Sequence, residues 1–581
     1  MKYKQVRIGL ILFFLFGLFL QLTSKFHFFY IEQLQLFQFS KNYLTERLND
    51  PGGLSLIISE FLTQFFITPY MGALIVSAIL TIIALVTRSL VRQVNPAHEL
   101  PALYLLPSLT LLLIQYDFNY RIQGTIAFIF CLLTLRAWCL IKDTRGRIIG
   151  ALAANILLFW IGGPIACLFT VIVILESLLQ RPKESLFLTI ILLEYILIAM
   201  GSVWSTLVTD YRFAFLPDAF YHPMLKAPNV IYFSWISLIA CLIGSYLSPH
   251  KAILSKRQNI LEISIQIITL LLLCRLVIPH YNDAKSYPLK KLDYYVRTQQ
   301  WEQIINNSHG PINNYLHLNY LNMALMEKGL LADQLFSFDQ HGPQGLLVSW
   351  NKTFSVSTLL SDVYFSMGEI ALSQEMAFEA YITAIGSGNP RNLQRLIQTN
   401  LIFGAYPIAE KYITLLEKTH GYRKWAQQHR RFLYCDKLVE ADSLLGAKRN
   451  GLPKDSHLCG INGFEKDLLT RADQNPGNSL PLHVVGCYFL LRKDLKAFKE
   501  LLIHYYDKEN ASPLPISFQE AVILIFEKEP DYWKRLHVTT NVIQKFSAYR
   551  DLVLRNRNNP QLPQLIKQSF GDTYWSYFTL K

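Results

Sequence analysis

Charged residues are scarce in this 581-residue sequence. They make up 17% of the chain, whereas hydrophobic residues make up 51%. That balance is unusual for a soluble protein and ordinary for a membrane protein with a large polar appendage. The apolar blocks end near Pro279, and the rest of the chain is mixed polar sequence with helical spacing. We predict an all-α protein, with a transmembrane bundle at residues 1–280 and a soluble helical domain at 281–581.

Signatures of several function classes are also missing. The net charge of +13 comes largely from Lys and Arg in short loops beside apolar blocks, and no basic stripe with interleaved aromatics indicates a nucleic-acid partner. No CxxC or Cys/His spacing indicates zinc, and no catalytic fingerprint names a reaction. One disulfide among Cys435, Cys459 and Cys487 is an open alternative, with Cys435 and Cys459 as the favoured pair.

Long apolar segments indicate membrane spans. The block from Ile148 to Gln180 would extend about 50 Å as one helix, against a hydrocarbon core of about 30 Å. Gly162, Gly163 and Pro164 interrupt it, so we predict a hairpin of two helices and nine spans in all. The other seven predicted spans are Arg7 to Ser24, Tyr70 to Val91, Pro101 to Tyr116, Tyr120 to Ile141, Ser185 to Val208, Val230 to Ser248 and Ile260 to Ile278.

The distribution of Lys and Arg supports nine spans. With the hairpin, the inner loops hold thirteen basic residues and the outer loops six; with a single crossing the split would be ten and nine. The positive-inside rule favours the first arrangement. It predicts a cytoplasmic amino terminus behind an uncleaved signal anchor, and a carboxy-terminal domain in the periplasm of a bacterium, with the bundle in the inner membrane.

Three segments of the soluble domain read as helical hairpins, each with a glycine at the turn: Tyr320 to Phe336, Leu359 to Ala380 and Leu393 to Leu416. Their glycines, Gly329, Gly368 and Gly404, are 39 and 36 residues apart. That spacing resembles tetratricopeptide repeats, although Ser373 stands near where Ala is usual. Solenoids of this type bind peptides or partner proteins in a groove. A generic helical bundle is the alternative.

Candidate chemistry lies on the predicted outer face. The first outer loop, residues 25–69, is long and contains apolar stretches interrupted by Glu60 and Gln64, which predicts interfacial helices. A purely structural role remains an alternative for such residues: Asp50, for example, precedes Pro-Gly-Gly and is a good turn former in any protein. Glu194 lies near the middle of a predicted span and should face the bundle interior or a wet cavity. The outer-face candidates are Glu32, Asp50, Asp117, Arg121, Asp210, Arg212, Asp218 and His222.

Two stretches carry a family resemblance: Glu32-Gln-Leu-Gln-Leu-Phe37, and Pro51-Gly-Gly through Phe61-Leu-Thr-Gln-Phe65-Phe66. On these residues the chain resembles an uncharacterised family of large Bacteroidetes membrane proteins with helical-repeat carboxy termini, which implies the two-part layout. That architecture is similar to GT-C glycosyltransferases, in which an acidic residue soon follows the first span and polyprenyl-phosphate sugars are the donors. Glu32 occupies a comparable place, and the paired acidic motif common in that superfamily is missing.

The resemblance implies a GT-C-like transferase on the outer face. In that mechanism Glu32 is the general base on the acceptor hydroxyl and His222 assists the leaving phosphate, while Arg121 and Arg212 bind the lipid phosphate. No cofactor is required by the sequence, and a divalent metal stays an open alternative. The alternatives are a non-catalytic envelope scaffold that presents the periplasmic domain to a protein or peptide, and a transporter using Glu194. Deleting residues 290–581 would remove all phenotype of a scaffold, whereas a transferase bundle would still bind its lipid donor.

Overall fold

The structure is a computed structural model that describes residues 2–96, 99–180, 185–248, 256–281, 284–384, 388–454, 463–507 and 513–581. These residues form α-helices, short 3-10 helices and turns, with no strand among them. They divide into two compact units. The first unit contains Met1–Tyr287 and also the later segment Lys418–Arg423, and the second contains Pro288–Ala384, Gly388–Glu417 and Lys424–Lys581.

The first unit contains long apolar helices joined by short connections. Two 3-10 helices, Gln64–Ile67 and Pro217–Phe220, lie in those connections. The α-helices are α1 (Lys2–Thr23), α2 (Lys25–Glu32), α3 (Lys41–Leu48), α4 (Gly53–Thr63), α5 (Met71–Val94), α6 (Pro101–Ile114), α7 (Gln123–Trp138), α8 (Thr144–Gly162), α9 (Ile165–Gln180), α10 (Ser185–Trp204), α11 (Tyr211–Phe215), α12 (Val230–Leu247) and α13 (Lys256–Tyr281).

Each segment that the sequence predicts as a span lies in a helix, and the lengths of these helices differ. Among the described residues, five helices are long and apolar enough to cross a membrane: Gln5–Thr23, Met71–Val94, Thr144–Gly162, Val230–Leu247 and Arg257–Tyr281. The apolar helices α6 and α7 are shorter, with 14 and 16 residues. A turn follows α6, in which the Asp117 side chain accepts from the main-chain N–H of Asn119.

The connections of this unit gather in two groups, one at each end of α5. We call the first group the Arg121 end. There the N–H of Gly52 donates to the carbonyl of Trp160 (2.8 Å), and the N–H of Arg121 donates to the carbonyl of Phe220 (2.9 Å). The first loop, the α6–α7 connection, the α8–α9 turn and the α10–α12 connection therefore lie together.

The second group of connections, which we call the Arg147 end, lies at the other end of α5. Gln93 at the end of α5 donates to the carbonyl of Cys139 after α7 (3.1 Å). Arg147 in the first turn of α8 forms an ion pair with Glu176 near the end of α9. Successive long helices thus run in opposite directions, as a chain that crosses back and forth requires. Some basic residues of the predicted inner loops, such as Lys183 and Lys251, lie outside the described residues.

The predicted break in the Ile148 to Gln180 block is a sharp reversal between α8 and α9. Gly163 has φ +70° and ψ −140°, a region that is essentially accessible to glycine alone. Gly52, with φ +79°, packs against it, and a Cβ added at Gly52 would lie 3.4 Å from the Gly163 Cα. The amide of Gln123 donates to the Gly52 carbonyl (3.2 Å). Two glycine turns from distant parts of the chain therefore contact each other main chain to main chain.

Replacing Gly163 with alanine should destabilise the first unit by about 1–3 kcal/mol, because an L residue is strained at these dihedral angles. Thermal unfolding of the detergent-solubilised full chain would measure the loss. Gly201→Ala in α10 is the matched control, because a Cβ there meets nothing within 4 Å. An equal melting temperature for the two variants would contradict the argument from backbone strain.

The second unit contains many short helices. From Tyr287 onward the helices are α14 (Tyr287–Arg297), α15 (Trp301–Asn306), α16 (Tyr315–Glu327), α17 (Leu331–Gln334), α18 (Phe354–Met367), α19 (Ile370–Ile382), α20 (Pro390–Phe403), α21 (Tyr406–Glu417), α22 (Arg423–Arg430), α23 (Asp436–Ala441), α24 (Leu445–Asn450), α25 (Phe464–Gln474), α26 (Leu480–Leu491), α27 (Leu495–Tyr505), α28 (Ile516–Ile525), α29 (Pro530–Arg535), α30 (Thr540–Arg555), α31 (Leu562–Phe570) and α32 (Tyr574–Leu580).

Two of the three predicted hairpins have two full helices. Gly368 and Gly404 end α18 and α20 in the left-handed conformation, with φ of 86° and 74°. In the first predicted hairpin α17 is a single turn, followed by a 3-10 helix at Leu335–Ser337. Ser373, which departs from the repeat pattern, donates to the Ser361 carbonyl (2.8 Å), and Ser361 donates back to the Ser373 carbonyl (2.9 Å). These two bonds join α18 to α19 where the helices cross.

A buried charge network joins three helices of this unit. Arg391 at the start of α20 binds Asp293 of α14 and, at 2.5 Å, Asp362 of α18. Arg395 binds the other oxygen of Asp362 at 2.9 Å. Burial alone would raise the pKa of Asp362, but the two arginines hold it below its usual value. Since Asp362 and the two arginines are buried and charged, each depends on its partners.

The predicted disulfide pairs are only partly within the described residues. Cys435 and Cys487 are not bonded to each other, and Cys487 is fully buried in α26. Cys459 lies outside the described residues, so the pairing of Cys435 with Cys459 stays a prediction.

Candidate functional site

Arg121, in the α6–α7 connection, holds the α10–α12 connection in place. Its Nη2 donates to the carbonyls of Ala219 (2.7 Å) and Tyr221 (3.3 Å). Its main-chain N–H also binds this connection, at the Phe220 carbonyl. A guanidinium that satisfies main-chain acceptors in this way fixes the loop that carries them. The geometry therefore makes Arg121 a positioning residue for residues 217–222.

Asp117, four residues earlier, binds the same connection. Its Oδ2 accepts a hydrogen bond from the Tyr221 hydroxyl (2.8 Å). Its Oδ1 accepts from the main-chain N–H of Asn119 (2.9 Å), which closes the turn after α6. Among the described residues no ion pair joins Asp117 to Arg121. Instead, both side chains form hydrogen bonds with the α10–α12 connection.

Glu60 is a buried carboxylate on α4, with 2% of its surface exposed. The hydroxyl of Tyr43, on α3, donates to its Oε2. The guanidinium of Arg47 lies over the Tyr43 ring, 5.6 Å from its centre. Helix α4 packs against α7 and α8, so this group lies inside the bundle's Arg121 end.

Electrostatics connect Glu60 to the α6–α7 connection. Burial raises the pKa of Glu60, whereas Arg47, the Tyr43 hydrogen bond and Arg121 act in the opposite direction. Burial disfavours the charged form of Arg121 as well and lowers its pKa to about 10, and the Glu60 carboxylate opposes that shift. One carboxylate thus faces two guanidinium groups, Arg47 and Arg121, in a poorly hydrated place. We refer to Tyr43, Arg47, Glu60 and Arg121 as the Glu60 cluster.

His222 follows the segment that Arg121 holds. Its Nδ1 accepts a hydrogen bond from the main-chain N–H of Met224 (3.2 Å). Burial, and secondarily the positive charge of Arg121, lowers its pKa. The imidazole is therefore neutral at pH 7, and because Nδ1 accepts from Met224, its proton is on Nε2.

Arg212 is an accessible cation of this region. Its main-chain N–H is capped by Asp210 (2.9 Å), and its Nη2 donates to the Pro223 carbonyl (3.1 Å). Its Nε is 3.7 Å from the Asp210 carboxylate, and 41% of its side chain is exposed. Nearby, the Tyr232 hydroxyl donates to Asp218. Arg212 thus combines a fixed position with a surface that a solute anion is able to reach.

Glu32 ends α2 and is closed off from solvent, with 2% of its surface exposed. The Tyr422 hydroxyl lies 2.7 and 2.9 Å from its two carboxylate oxygens. Tyr422 belongs to Lys418–Arg423, the late segment of the first unit. That segment also contacts the first loop through Phe39, whose N–H donates to the Lys418 carbonyl (2.7 Å). Glu32 is therefore held by a residue far away in the sequence.

The remaining predicted residues have partners outside the α10–α12 connection. Asp50 is exposed in the turn before α4, where its carbonyl accepts from Gly53 (3.0 Å). Glu194, on α10, is partly exposed and accepts from the Asn155 amide of α8 (3.2 Å). Thr170 of α9 donates to that same Asn155 (2.9 Å). Of the sequence candidates, Asp117, Arg121, Arg212 and His222 therefore meet around the α10–α12 connection, whereas Glu32, Asp50 and Glu194 have separate surroundings.

A family profile matches residues 2–581. The chain belongs to this family, a family of unknown function, DUF6057. No curated protein and no solved structure shows significant similarity to the chain. The DUF6057 match covers both units.

The structure adds functional candidates to this DUF6057 chain that the sequence did not single out. Glu60, Tyr43 and Arg47 come from one loop, and an acidic residue within an apolar helix was the available signal for Glu60. Tyr422 had no such signal, because nothing local ties residue 422 to residue 32. Among the described residues, no group of three or more His, Cys, Asp or Glu side chains is arranged to hold a metal ion.

Proposed function

We propose that the chain is a nine-span membrane protein that acts as a GT-C-like transferase at its outer face. The observation that carries the proposal is the meeting of four connections at the Arg121 end, which brings Arg212, His222 and the Glu60 cluster into one region. All four are the connections that the charge distribution predicts on the outer side. In this topology the second unit is periplasmic and binds the acceptor or a partner protein.

The geometry supports recognition of a lipid-linked phosphate at Arg212. A guanidinium binds phosphate oxygens with two parallel hydrogen bonds, and Arg212 is exposed and held by Pro223. Arg121 serves the donor indirectly by fixing residues 217–222. The neutral His222 carries its proton on Nε2, and this N–H can donate a hydrogen bond to the leaving phosphate oxygen.

The transfer step is a substitution at the anomeric carbon of the sugar. The acceptor hydroxyl oxygen forms the new bond to that carbon, and the bond from the carbon to the phosphate oxygen breaks. The hydroxyl proton passes to Glu32, and the polyprenyl phosphate leaves with the bonding electrons beside Arg212. Because Tyr422 covers both oxygens of Glu32, this role requires segment Lys418–Arg423 to withdraw when the acceptor binds.

Glu32→Gln should abolish transfer while folding is preserved, because glutamine keeps an acceptor for Tyr422 and cannot take the proton. The measurement is the profile of lipid-linked and transferred glycans in cells that carry only the variant. Glu46→Gln is the matched control, since Glu46 is an exposed carboxylate of the same loop.

Arg212→Gln should weaken binding of polyprenyl phosphate to the purified full chain about tenfold.

A non-catalytic scaffold is the second candidate, and the closed environment of Glu32 favours it. A carboxylate held by Tyr422 and removed from solvent is well suited to fastening Lys418–Arg423 to the first loop. In that case Glu32→Gln leaves all glycans unchanged, and Arg212→Gln leaves lipid phosphate binding unchanged. That pair of results would reject the transferase.

A further inference from the structure

Glu194 is a partly exposed acidic residue in the middle of the apolar helix α10. It is the tenth of the twenty residues of α10, a helix about 30 Å long, which matches the thickness of the hydrocarbon core. In the proposed nine-span topology, on which this inference rests, α10 crosses the membrane and Glu194 lies near the bilayer centre. An ionised carboxylate is unfavourable at that depth, so Glu194 carries its proton.

The protonated Glu194 carboxyl group is bonded within the chain through one oxygen. Its Oε2 accepts a hydrogen bond from the Asn155 amide of α8 (3.2 Å), and Thr170 of α9 donates to the Asn155 Oδ1 (2.9 Å). A protonated carboxyl group also has an O–H donor. Among the described residues no acceptor lies within hydrogen-bond distance of that donor. A donor without an acceptor is costly in hydrocarbon, which favours a partner from outside the chain.

Glu194 belongs to a continuous stripe on the exposed side of α10. Ile190, Glu194, Leu197 and Gly201 are spaced four, three and four residues apart, which places them on one helix face. Ile190 and Leu197 are 46% and 67% exposed. Gly201 is also exposed, and a Cβ added there meets nothing within 4 Å. The other side of the helix faces the core through Tyr195, which is 1% exposed. We call the four residues the α10 stripe.

We propose that the α10 stripe is the contact surface of a homodimer, in which α10 packs against α10 of a second copy. Two copies have the same orientation in a membrane, so their two-fold axis lies along the membrane normal and places equivalent residues opposite each other. Two Glu194 carboxyl groups are self-complementary, because each O–H donates to the carbonyl oxygen of the other. The missing side chain at Gly201 lets the two backbones approach closely, as small residues do between membrane helices.

The chemistry of Glu194 favours a second copy over the other occupants of a lipid-facing surface. An acyl chain offers no acceptor to the Glu194 O–H. A different membrane protein would need its own polar residue at the same depth, whereas a second copy supplies one by symmetry. The spacing of the α10 stripe also averages 3.5 residues, which is the repeat that two parallel helices use when their side chains interlock.

Cysteine cross-linking of the full chain in membrane vesicles tests the contact. On oxidation, Leu197→Cys should form a disulfide-linked dimer at several times the wild-type yield, because the two-fold axis brings both residues 197 together. Leu192→Cys is the matched control, since Leu192 is exposed on the same helix and lies outside the α10 stripe. Equal cross-linking of the two variants would overturn the proposal.

Energy transfer between labelled copies of the full chain, diluted in lipid vesicles, measures the dissociation constant of the dimer. Glu194→Leu should raise this constant about tenfold, and Glu194→Gln should stay near the wild type, because two amides also pair with each other. Gly201→Leu should abolish energy transfer without lowering the melting temperature of the detergent-solubilised monomer, since its Cβ enters open space. A monomeric wild type, or undiminished dimerisation in Glu194→Leu and Gly201→Leu, would overturn the proposal.

The same vesicles separate a failure of the dimer from a failure of the proposed function. None of these measurements uses transferase activity, so a negative transferase assay leaves the dimer result unchanged. Leu192→Cys and Leu197→Cys should both resist a membrane-impermeant maleimide. Rapid reaction at both positions would overturn the α10 span and the dimer with it. Protected cysteines together with a monomeric wild type would overturn the dimer alone.

Discussion

Replacing Arg391 with methionine should destabilise the second unit by about 3–5 kcal/mol. Arg391 holds both Asp293 and Asp362, and the variant leaves those carboxylates buried with a partner removed. Native-state hydrogen exchange of α18 and α20 in the full chain would report the loss, because exchange from core helices follows the opening free energy. The protection of these amides should fall by about 100-fold to 4,000-fold, since about 1.4 kcal/mol corresponds to each tenfold change.

Arg430→Met is the matched control for Arg391. Arg430 also contacts two carboxylates, Glu410 and Glu417, but 40% of its side chain is exposed. Exposed ion pairs contribute about 0–1 kcal/mol, so this variant should change exchange little. Replacing Asp293, Asp362, Arg391 and Arg395 together with apolar residues should restore much of the stability, because the paired charges of the network are then removed together. Similar losses of stability in Arg391→Met and Arg430→Met would contradict the prediction, because the buried network would then contribute no more than an exposed ion pair.

Replacing Glu60 with leucine should destabilise the first unit by about 1–3 kcal/mol, because it leaves the buried Tyr43 hydroxyl without its acceptor. The variant also removes the negative charge that favours the charged forms of Arg47 and Arg121. Thermal unfolding in detergent would measure the loss. Glu60→Gln should have an intermediate effect, because the amide still accepts from Tyr43 and carries no charge.

Glu46→Gln is the control for the Glu60 variants, because Glu46 lies on α3 in the same loop and is exposed. It should leave the melting temperature unchanged. If Glu60→Leu behaves like Glu46→Gln, then Glu60 is not coupled to the two arginines. The Glu60 variants also help to interpret transferase assays, since loss of activity in Glu60→Gln with a lowered melting temperature indicates a positioning role.

Turns and helix ends that depend on a few neighbouring residues were predictable from the sequence. Gly162-Gly163-Pro164 predicted the reversal between α8 and α9, because glycine and proline end helices by their own backbone preferences. The glycines of the second and third hairpins were predictable for the same reason. Helix lengths were less so: α6 stops at Ile114, and α17 has one turn, because the side chains that end them act through local bonds that composition does not reveal.

The candidate site was predictable only in part, since its contacts join distant segments. Asp117, Arg121 and His222 were identified as polar residues in short outer connections, and the fold brings those connections together. The interfacial assignment of residues 25–69 did not anticipate that α4 packs on α7 and α8 and buries Glu60. Hydrophobic spacing describes which face of a helix is apolar, whereas the partner of that face depends on the whole topology.

The placement of Lys418–Arg423 in the first unit changes the meaning of truncation experiments. Removing residues 290–581 takes away the second unit and also the hydroxyl that contacts Glu32. A truncated bundle would expose a buried carboxylate together with the aromatic surface around Phe39 and Phe65, so inactivity or aggregation would say little about the helices of the second unit themselves. An informative truncation must supply residues 418–423 separately, for example as a synthetic peptide added in trans.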